Sequence, residues 1–390
     1  MPAEVSIATV LNLHQPTGNL EDLLEHKEWE AKEVLFAYDR IPRSLWGHED
    51  VARIHVSLSG TLLELLSAPA FQSRVYGIVK CGDLLWHLRN PAIDILGTGY
   101  YHPVMPLIPK ADQEEHLARW GGIARHLFAR EVFHGFWPPE MGFCMEMIPL
   151  LRKMGFTYVL VDSKHVEPVD SMRWEDIRYR PHLARYKDSE IVVVVRDREL
   201  SDAQEAGMDP GWFNYEVFER VKWCDFPPLI TTCSDGENGG WFRNTSMAGN
   251  FWGVFYLPLM EMIRKKQSGL RPVFIHEYIK QYGAHGHVKV REGAWNTGWH
   301  HGVGFVQWTG SKAQKEAFKR IAEVSAQVNA ALRDAEKKKA GTEILKNLEE
   351  ARWRLLRSET SCNFFWGADW VYRAHADLDQ SLEWLTKAGY

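Results

Sequence analysis

Two carboxylates lie in sequence surroundings that suit acid–base chemistry. Glu140 follows two prolines in the aromatic segment FWPPEMGF (136–143), where the prolines restrict the backbone. Asp235 lies in SDGENGGWF (234–242), a glycine-rich segment that follows an apolar run. Such a pair can cleave a glycosidic bond, because one carboxyl protonates the leaving oxygen while the other attacks the sugar carbon or activates water. Each also has a structural interpretation, in which Glu140 caps a helix and Asp235 forms an Asx-turn.

These carboxylates belong to a wider pattern in which polar residues follow short, β-rich runs. Seven runs lie at 6–13, 53–59, 92–98, 132–137, 156–162, 190–197 and 228–235. Polar residues at or just after their ends include His14, Gln15, Tyr101, His102, Asp162 and Arg196. Several runs are apolar throughout, as in strands buried on both faces, and helical segments separate most of them. The alternation predicts parallel strands whose ends converge on one site, either in a barrel or in an open doubly wound sheet. No GxGxxG or Walker motif supports a nucleotide-binding sheet.

The pattern changes near residue 311, where amphipathic helices begin. A first apolar stripe consists of Phe318, Ile321, Val324, Val328 and Leu332. A second consists of Leu345, Leu348, Ala351 and Leu355, and the segment 377–390 suggests a third helix. Spacings of three and four residues predict helices that pack one face against a core. We therefore predict a catalytic α/β domain at 1–310 and a helical domain at 311–390 packed on it.

Composition and charge exclude several classes of protein. The net charge is −5, from 46 Lys+Arg and 51 Asp+Glu, and no basic block marks a nucleic-acid partner. No apolar run is long enough to cross a membrane, and the first residues do not form a secretory signal. The five cysteines form no CxxC pair, which favours free thiols and a cytoplasmic location.

A metal site and a nucleophilic serine or cysteine are alternatives to the carboxylate pair. The histidines His276, His285, His287, His300 and His301 crowd one stretch and could ligate a transition metal. However, no HxxxH or HExxH lies on a predicted helix, and the first strand ends in HQP without the aspartate that a deacetylase-type barrel site requires. We therefore predict no metal and no cofactor, and a metal-dependent carbohydrate deacetylase stays an alternative. No GxSxG motif or His-paired cysteine signature supports acyl transfer.

Five segments, in order along the chain, resemble the motif regions of glycoside hydrolase family 57, whose members are retaining enzymes acting mainly on α-glucans. They are LNLHQP (11–16), GTGYYHPVMPLIP (97–109), FWPPEMGF (136–143), SDGENGGWF (234–242) and NFFWGADWVY (363–372). The segments at 196–202 and 295–299 are also similar to family segments. The resemblance implies an incomplete (β/α)7 TIM-like barrel followed by a C-terminal helical bundle. It assigns Glu140 as the nucleophile and Asp235 as the general acid/base.

The resemblance also implies a substrate and the residues that hold it. The expected substrate is an α-1,4-glucan or maltooligosaccharide, cleaved by double displacement between carboxyl groups about 5–5.5 Å apart. The expected substrate-binding residues are His14, Gln15, Tyr101, His102, Trp137, Arg196, Trp241, Trp299, Trp366, Asp369 and Trp370. An α-glucan transferase or branching enzyme of the same family is an alternative activity, as is a non-catalytic glucan-binding protein. The chain is short for the family, which disfavours activities that need an extra binding module.

Tryptophan is abundant, with 17 residues in the chain. Seven lie beside the candidate site segments: Trp137, Trp241, Trp295, Trp299, Trp308, Trp366 and Trp370. Flat aromatic rings can stack on the apolar faces of sugar rings. The sequence therefore predicts that about half of the tryptophans line one carbohydrate cleft.

Overall fold

The computed structural model describes residues 4–297 and 302–390. Its strands are β1 (Val5–Leu13), β2 (Ile54–Leu58), β3 (Ile93–Leu96), β4 (Gly135–Phe136), β5 (Tyr158–Asp162), β6 (Val166–Pro168), β7 (His182–Tyr186), β8 (Ser189–Arg196), β9 (Leu229–Asp235), β10 (Leu270–Pro272) and β11 (Val288–Val290). Parallel pairing joins seven of them in the order β3-β2-β1-β9-β8-β5-β4. These are the seven predicted strands, and their existence is confirmed.

The sheet closes on itself to form a barrel. Gly97, just after β3, bridges in parallel to Phe136 of β4. The Gly97 amide donates to the Gly135 carbonyl at 2.9 Å, and the Trp137 amide donates to the Gly97 carbonyl at 2.8 Å. Only these few contacts join the edge strands β3 and β4, so the barrel is incomplete. They nevertheless show that the sheet is not the open doubly wound sheet that the sequence left as an alternative. The resemblance predicted this architecture correctly.

The remaining strands were not predicted from the sequence. β10 pairs in parallel with the start of β1, and β7 pairs antiparallel with β8. β6 and β11 form a separate antiparallel pair. β6, β10 and β11 have three residues each, which is too short for a periodic hydrophobic pattern to appear.

Helices surround the barrel and form the C-terminal region. Around the barrel lie α1 (Asn19–His26), α2 (Glu28–Leu45), α3 (Gly60–Ser67), α4 (Pro69–Val75), α5 (Cys81–His87), α6 (Lys110–Phe128), α7 (Ile148–Lys153), α8 (Trp174–Tyr179), α9 (Arg198–Glu205), α10 (Pro210–Val221), α11 (Gly239–Arg243), α12 (Leu257–Arg264) and α13 (Ile275–Tyr282). The short helix α14 (Val306–Thr309) packs on the C-terminal bundle, and its Trp308 belongs to the bundle core. The bundle consists of α15 (Lys312–Lys338), α16 (Thr342–Ser358), α17 (Cys362–Phe365) and α18 (Val371–Lys387). The helices predicted from 311 onward are therefore confirmed. Within the described residues, no helix is both long and apolar enough to cross a membrane.

A capping box explains why the helical region begins at residue 311. The Ser311 hydroxyl accepts from the Gln314 amide at 3.1 Å, and the Gln314 side chain accepts from the Ser311 amide at 2.7 Å. The bundle core also contains barrel-region residues such as Val104 and Ala294. Leu345, predicted on an apolar face, is exposed. The division into 1–310 and 311–390 stays a prediction.

Candidate active site

A cleft of about 330 Å³ opens where strands β1, β4 and β9 end, and helix α17 and the segment that follows it line its other side. Its lining includes Asn12, His14, Gln15, His102, Glu140, Asp235, Glu237, Asn238, Trp295, Cys362, Trp366 and Trp370. Both candidate carboxylates therefore face one space, although 95 positions separate them in the sequence. This convergence is what parallel strands in a barrel produce at their carboxyl ends.

Glu140 is fixed on a strained turn directly after β4. Its φ of 57° lies in the left-handed region, which a non-glycine residue adopts at a cost of about 1 kcal/mol or more. The Ser361 hydroxyl donates to Oε1 at 2.7 Å, and the Trp295 indole donates to Oε2 at 3.1 Å. Burial raises the pKa of Glu140 to about 7, and the charge of Asp235 adds to the rise while both donors oppose it. The carboxylate faces the cleft and does not cap a helix.

Asp235 ends β9 and is held by two side-chain amides. Asn12 donates to Oδ1 at 3.2 Å, and Asn238 donates to Oδ2 at 2.8 Å. Burial raises the pKa of Asp235, and the two amides and Arg196 oppose the rise. A raised pKa favours the protonated form of the carboxyl, which is the form that a general acid requires.

Glu237 is a third buried carboxyl in the cleft, and sequence reasoning missed it. Its Oε1 accepts from the His14 amide at 3.0 Å, and its Oε2 is buried without a hydrogen-bond partner among the described residues. Burial, followed by the charge of Asp235, raises the pKa of Glu237 well above its usual range. The raised pKa favours the protonated, uncharged form of Glu237. Its position two residues after Asp235, in the same turn, was the available signal.

His14 and His102 form a neutral stacked pair beside the nucleophile candidate. Their rings are 4.1 Å apart and nearly parallel. Burial lowers the pKa of both rings, that of His102 to about 3. The Ser361 hydroxyl gives its only hydrogen to Glu140, so at 3.3 Å it must accept from Nδ1 of His102. His102 therefore has its proton on Nδ1, which leaves Nε2 as an acceptor.

Ser361 and Trp295 thus support the site from outside the barrel strands. Ser361 also donates its backbone amide to the His102 carbonyl at 3.0 Å, which ties the bundle to the barrel turn. The sequence predicts Trp295 beside the site but does not predict Ser361. The only signal for Ser361 was its position two residues before the fifth family-like segment.

Several predicted substrate-binding residues lie elsewhere. Trp137 is fully buried in the barrel interior, packed edge-on against Trp295 with ring centres 5.5 Å apart. Tyr101 packs against Trp353 and His116 and lines a neighbouring cavity. Strand pairing and aromatic packing therefore turn these two rings away from the cleft.

Arg196, Trp241 and Asp369 are also displaced from the predicted role. The buried Arg196 guanidinium donates to Asp162 at 2.9 Å and to Asp202 at 2.7 Å. Its charge is therefore paired with two carboxylates of the barrel. Trp241 packs against Phe251 with ring centres 6.3 Å apart. Asp369 is exposed outside the cleft lining.

The tryptophan prediction therefore needs correction. Trp295, Trp366 and Trp370 line the cleft. Trp137 and Trp308 are core residues, Trp241 packs on the surface of the barrel, and Trp299 lies outside the described residues. The cleft thus presents a small aromatic wall, built mainly by residues at the end of the chain.

The histidine-rich stretch provides no cluster of metal ligands in the described chain. Within residues 4–297 and 302–390, no three His, Cys, Asp or Glu side chains lie close enough together to hold a metal ion. His276 bonds to Asp94 at 3.3 Å, and His287 bonds to Glu190 at 3.2 Å. His300 and His301 lie outside the described residues.

Two relatives of known name match part of this chain. An alpha-amylase of Pyrococcus horikoshii is 25% identical over 155 residues, 39% of this chain and 22% of that protein. A 4-alpha-glucanotransferase of Thermococcus kodakarensis is 28% identical over 158 residues, 39% of this chain and 21% of that protein. The matched region thus spans about a fifth of the length of these relatives.

The fold is also that of a solved structure, a branching enzyme from Thermococcus kodakaraensis. Its TM-score is 0.75 at 14% identity, over 98% of this chain and 90% of that one. The family model named glycosyl hydrolase family 57 matches residues 19–291, which include Glu140 and Asp235. Since the match covers well over half of the 390 residues, the chain belongs to glycosyl hydrolase family 57.

Proposed function

We propose that this protein is a retaining glycosidase that acts on α-1,4-glucans, with Glu140 as the nucleophile and Asp235 as the general acid/base. The observation that carries the proposal is the pairing of two buried carboxyls, each held by two fixed donors, across one cleft at the barrel mouth. Family membership supports glycoside chemistry. The relatives' names, alpha-amylase and 4-alpha-glucanotransferase, support an α-glucan substrate.

The first step transfers the sugar to the protein. An oxygen of Glu140 forms a bond to the anomeric carbon while the bond to the leaving oxygen breaks, and Asp235 gives its proton to that oxygen. Ser361 and Trp295 hold the Glu140 oxygens in place, so little reorganisation accompanies attack.

The second step releases the sugar with its original anomeric configuration. Asp235, now ionised, takes a proton from a water molecule, and the resulting oxygen attacks the anomeric carbon while the bond to Glu140 breaks. A hydroxyl of a second glucan could replace water, and the product would then be a longer or branched chain. Hydrolysis and transfer therefore use the same residues and differ in the acceptor.

The aromatic and imidazole groups of the cleft suit a sugar ring. Trp366 is 57% exposed and, with Trp370, offers ring surface to the apolar faces of glucose units. The unpartnered Nε2 of His102 is an acceptor for a sugar hydroxyl. Because both histidines are neutral, they can bind hydroxyls without competing for the proton on Asp235.

The test is product analysis with maltooligosaccharides and amylose. Shorter sugars indicate hydrolysis, and longer or branched sugars indicate transfer. The α-anomer should appear first in NMR spectra, because double displacement retains configuration. Glu140→Gln should abolish turnover, and the exposed Glu383→Gln on α18 serves as the matched control. Unchanged turnover in Glu140→Gln would refute the assignment.

Azide rescue tests Asp235 separately. Asp235→Asn should still form the glycosyl-enzyme from an aryl α-maltoside, whose leaving group needs no proton. Azide needs no general base, so it should attack that intermediate and give a glycosyl azide. The azide product of Asp235→Asn should be the α-anomer, because azide attacks the covalent intermediate, whereas azide that replaces a missing nucleophile gives the β-anomer. An α-azide from Glu140→Gln and a β-azide from Asp235→Asn would reverse the two roles. Loss of activity to a chelator, with release of acetate from an acetylated sugar, would favour the deacetylase alternative instead.

A further inference from the structure

Two further cavities continue from the cleft along the junction between barrel and bundle. Each has a volume of about 460 Å³. The near cavity, lined by Thr360 and Tyr372, shares Pro16 and Asn19 with the cleft. The far cavity, lined by Trp353, shares Thr17 and Arg357 with the near cavity. The three spaces therefore form one path around the loop at residues 16–19. We call the part beyond the cleft, between this loop and helices α16 and α18, the bundle groove.

The charges in the near part of the bundle groove are balanced. Asp22, Asp377, Arg357 and Arg373 all line this cavity. The Arg357 guanidinium is held in place by Asp377, with Nε donating to Oδ1 at 2.8 Å. An anionic polymer would be repelled by the aspartates, and a cationic one by the arginines. A neutral chain with many hydroxyls can bond to both kinds of side chain.

An unsatisfied polar atom marks the start of the groove. Thr360 is only 7% exposed, and its Oγ1 has no hydrogen-bond partner among the described residues. A buried hydroxyl without a partner costs free energy unless a ligand or water satisfies it. Thr360 lines the groove and immediately precedes Ser361, the residue that positions Glu140. A ligand that contacts Thr360 in the groove would therefore lie one residue along the chain from the side chain that holds Glu140.

Helix α18 adds an aromatic face and an amide. Tyr372 is 62% exposed in the groove lining, and Gln380 lies two turns further along the same helix. This combination of an exposed ring with amide and hydroxyl groups matches the apolar faces and hydroxyl edges of sugars.

From this continuity and chemistry we infer that the bundle groove binds the part of an α-glucan chain that extends beyond the cleft. The inference rests on the proposed function and adds that the substrate is a long chain bound by the bundle. Affinity should then depend on chain length, because a short oligosaccharide contacts only the cleft whereas a long chain also contacts the groove.

The experiment measures binding by calorimetry in the Glu140→Gln background, so that the ligand is not consumed. The ligands are maltotriose and a soluble short-chain amylose. The groove variants are Tyr372→Ala combined with Gln380→Ala and, separately, Thr360→Val, which removes the hydroxyl and keeps the shape. Tyr215→Ala, on α10 outside the groove lining, is the control because its side chain is 60% exposed.

We expect the double variant to weaken amylose binding about tenfold more than maltotriose binding, and Thr360→Val to act in the same direction. Equal changes for both ligands, or none, in variants with unchanged thermal unfolding would overturn the inference and leave the proposed function standing. Failure of the Tyr215→Ala control to match its parent would also count against it. If the parent binds neither ligand and the wild-type protein converts neither, both proposals fail.

Discussion

Glu140→Gln should stabilise the protein more at high pH than at low pH. Burial raises the pKa of Glu140 from 4.5 to about 7, so in the folded state the side chain prefers to be protonated. Below about pH 4.5 the group is protonated whether the chain is folded or not. As the pH rises, the unfolded chain ionises first, and the free energy of unfolding falls until the folded group also ionises near pH 7.

The size of this effect follows from the pKa. Each pH unit between the two pKa values is worth about 1.4 kcal/mol, which gives about 3 kcal/mol in total. Glutamine cannot ionise, so the variant loses none of this stability. Between about pH 5 and about pH 8 the advantage of the variant should grow by about 2–3 kcal/mol. For 390 residues this corresponds to about 3 °C in melting temperature.

The assay is thermal unfolding of both proteins at the two pH values. Comparing the differences removes any pH-independent cost, such as a weaker bond from Ser361 or Trp295 to the glutamine. The exposed Glu383→Gln should show no such growth and controls for the loss of one charge. An equal melting difference at both pH values would refute the reasoning, because it would show that the Glu140 carboxylate is not destabilised by burial.

Three further outcomes test the contacts around the carboxyls. Ser361→Ala removes a donor that lowers the pKa of Glu140, so the acidic limb of the kcat/KM profile, which reports the ionised nucleophile, should move to higher pH. Trp295→Phe keeps a ring but removes the second donor, and kcat should fall about tenfold with the limb moving the same way. If the acidic limb did not move in Ser361→Ala or in Trp295→Phe, the hydrogen bond from that residue to Glu140 would be contradicted. Glu237→Gln should keep activity within about threefold, because the raised pKa of Glu237 favours an uncharged form that glutamine resembles. Glu237→Ala should lose about tenfold, because it leaves the His14 amide unpaired. Equal losses would mean that Glu237 works as a carboxylate.

The sequence was sufficient for the seven strands of the barrel and for the helices after residue 311, because their signals are local. β1 is buried along its whole length, and its run of apolar residues is visible without any knowledge of its neighbours. Helix α15, whose N-cap is Ser311, has a capping box and a regular apolar stripe in its sequence. Closure of the barrel was different, since it depends on a bridge between Gly97 and Phe136 that no local pattern encodes.

The site was harder to predict because neighbours in the chain are not neighbours in the cleft. Trp137 lies three residues from Glu140 yet points into the barrel, since its amide completes the strand pairing. Ser361 is 221 positions away and donates directly to Glu140. Arg196 has the right position at a strand end, but two aspartates occupy its guanidinium. Residue type and strand-end position therefore identify candidates, whereas orientation and partners decide their use.

The placement of the nucleophile depends on the seam of the barrel. β4 has only two residues, and its last pairing bond is the one from the Trp137 amide to the Gly97 carbonyl. Gly97 and Gly135 both face aromatic rings so closely that neither has room for a Cβ atom. The chain then turns sharply, and Glu140 takes its left-handed conformation three residues after that bond. The carboxylate is thus anchored to the closing seam and not to a free loop, which allows donors from distant segments to hold both of its oxygens at fixed positions.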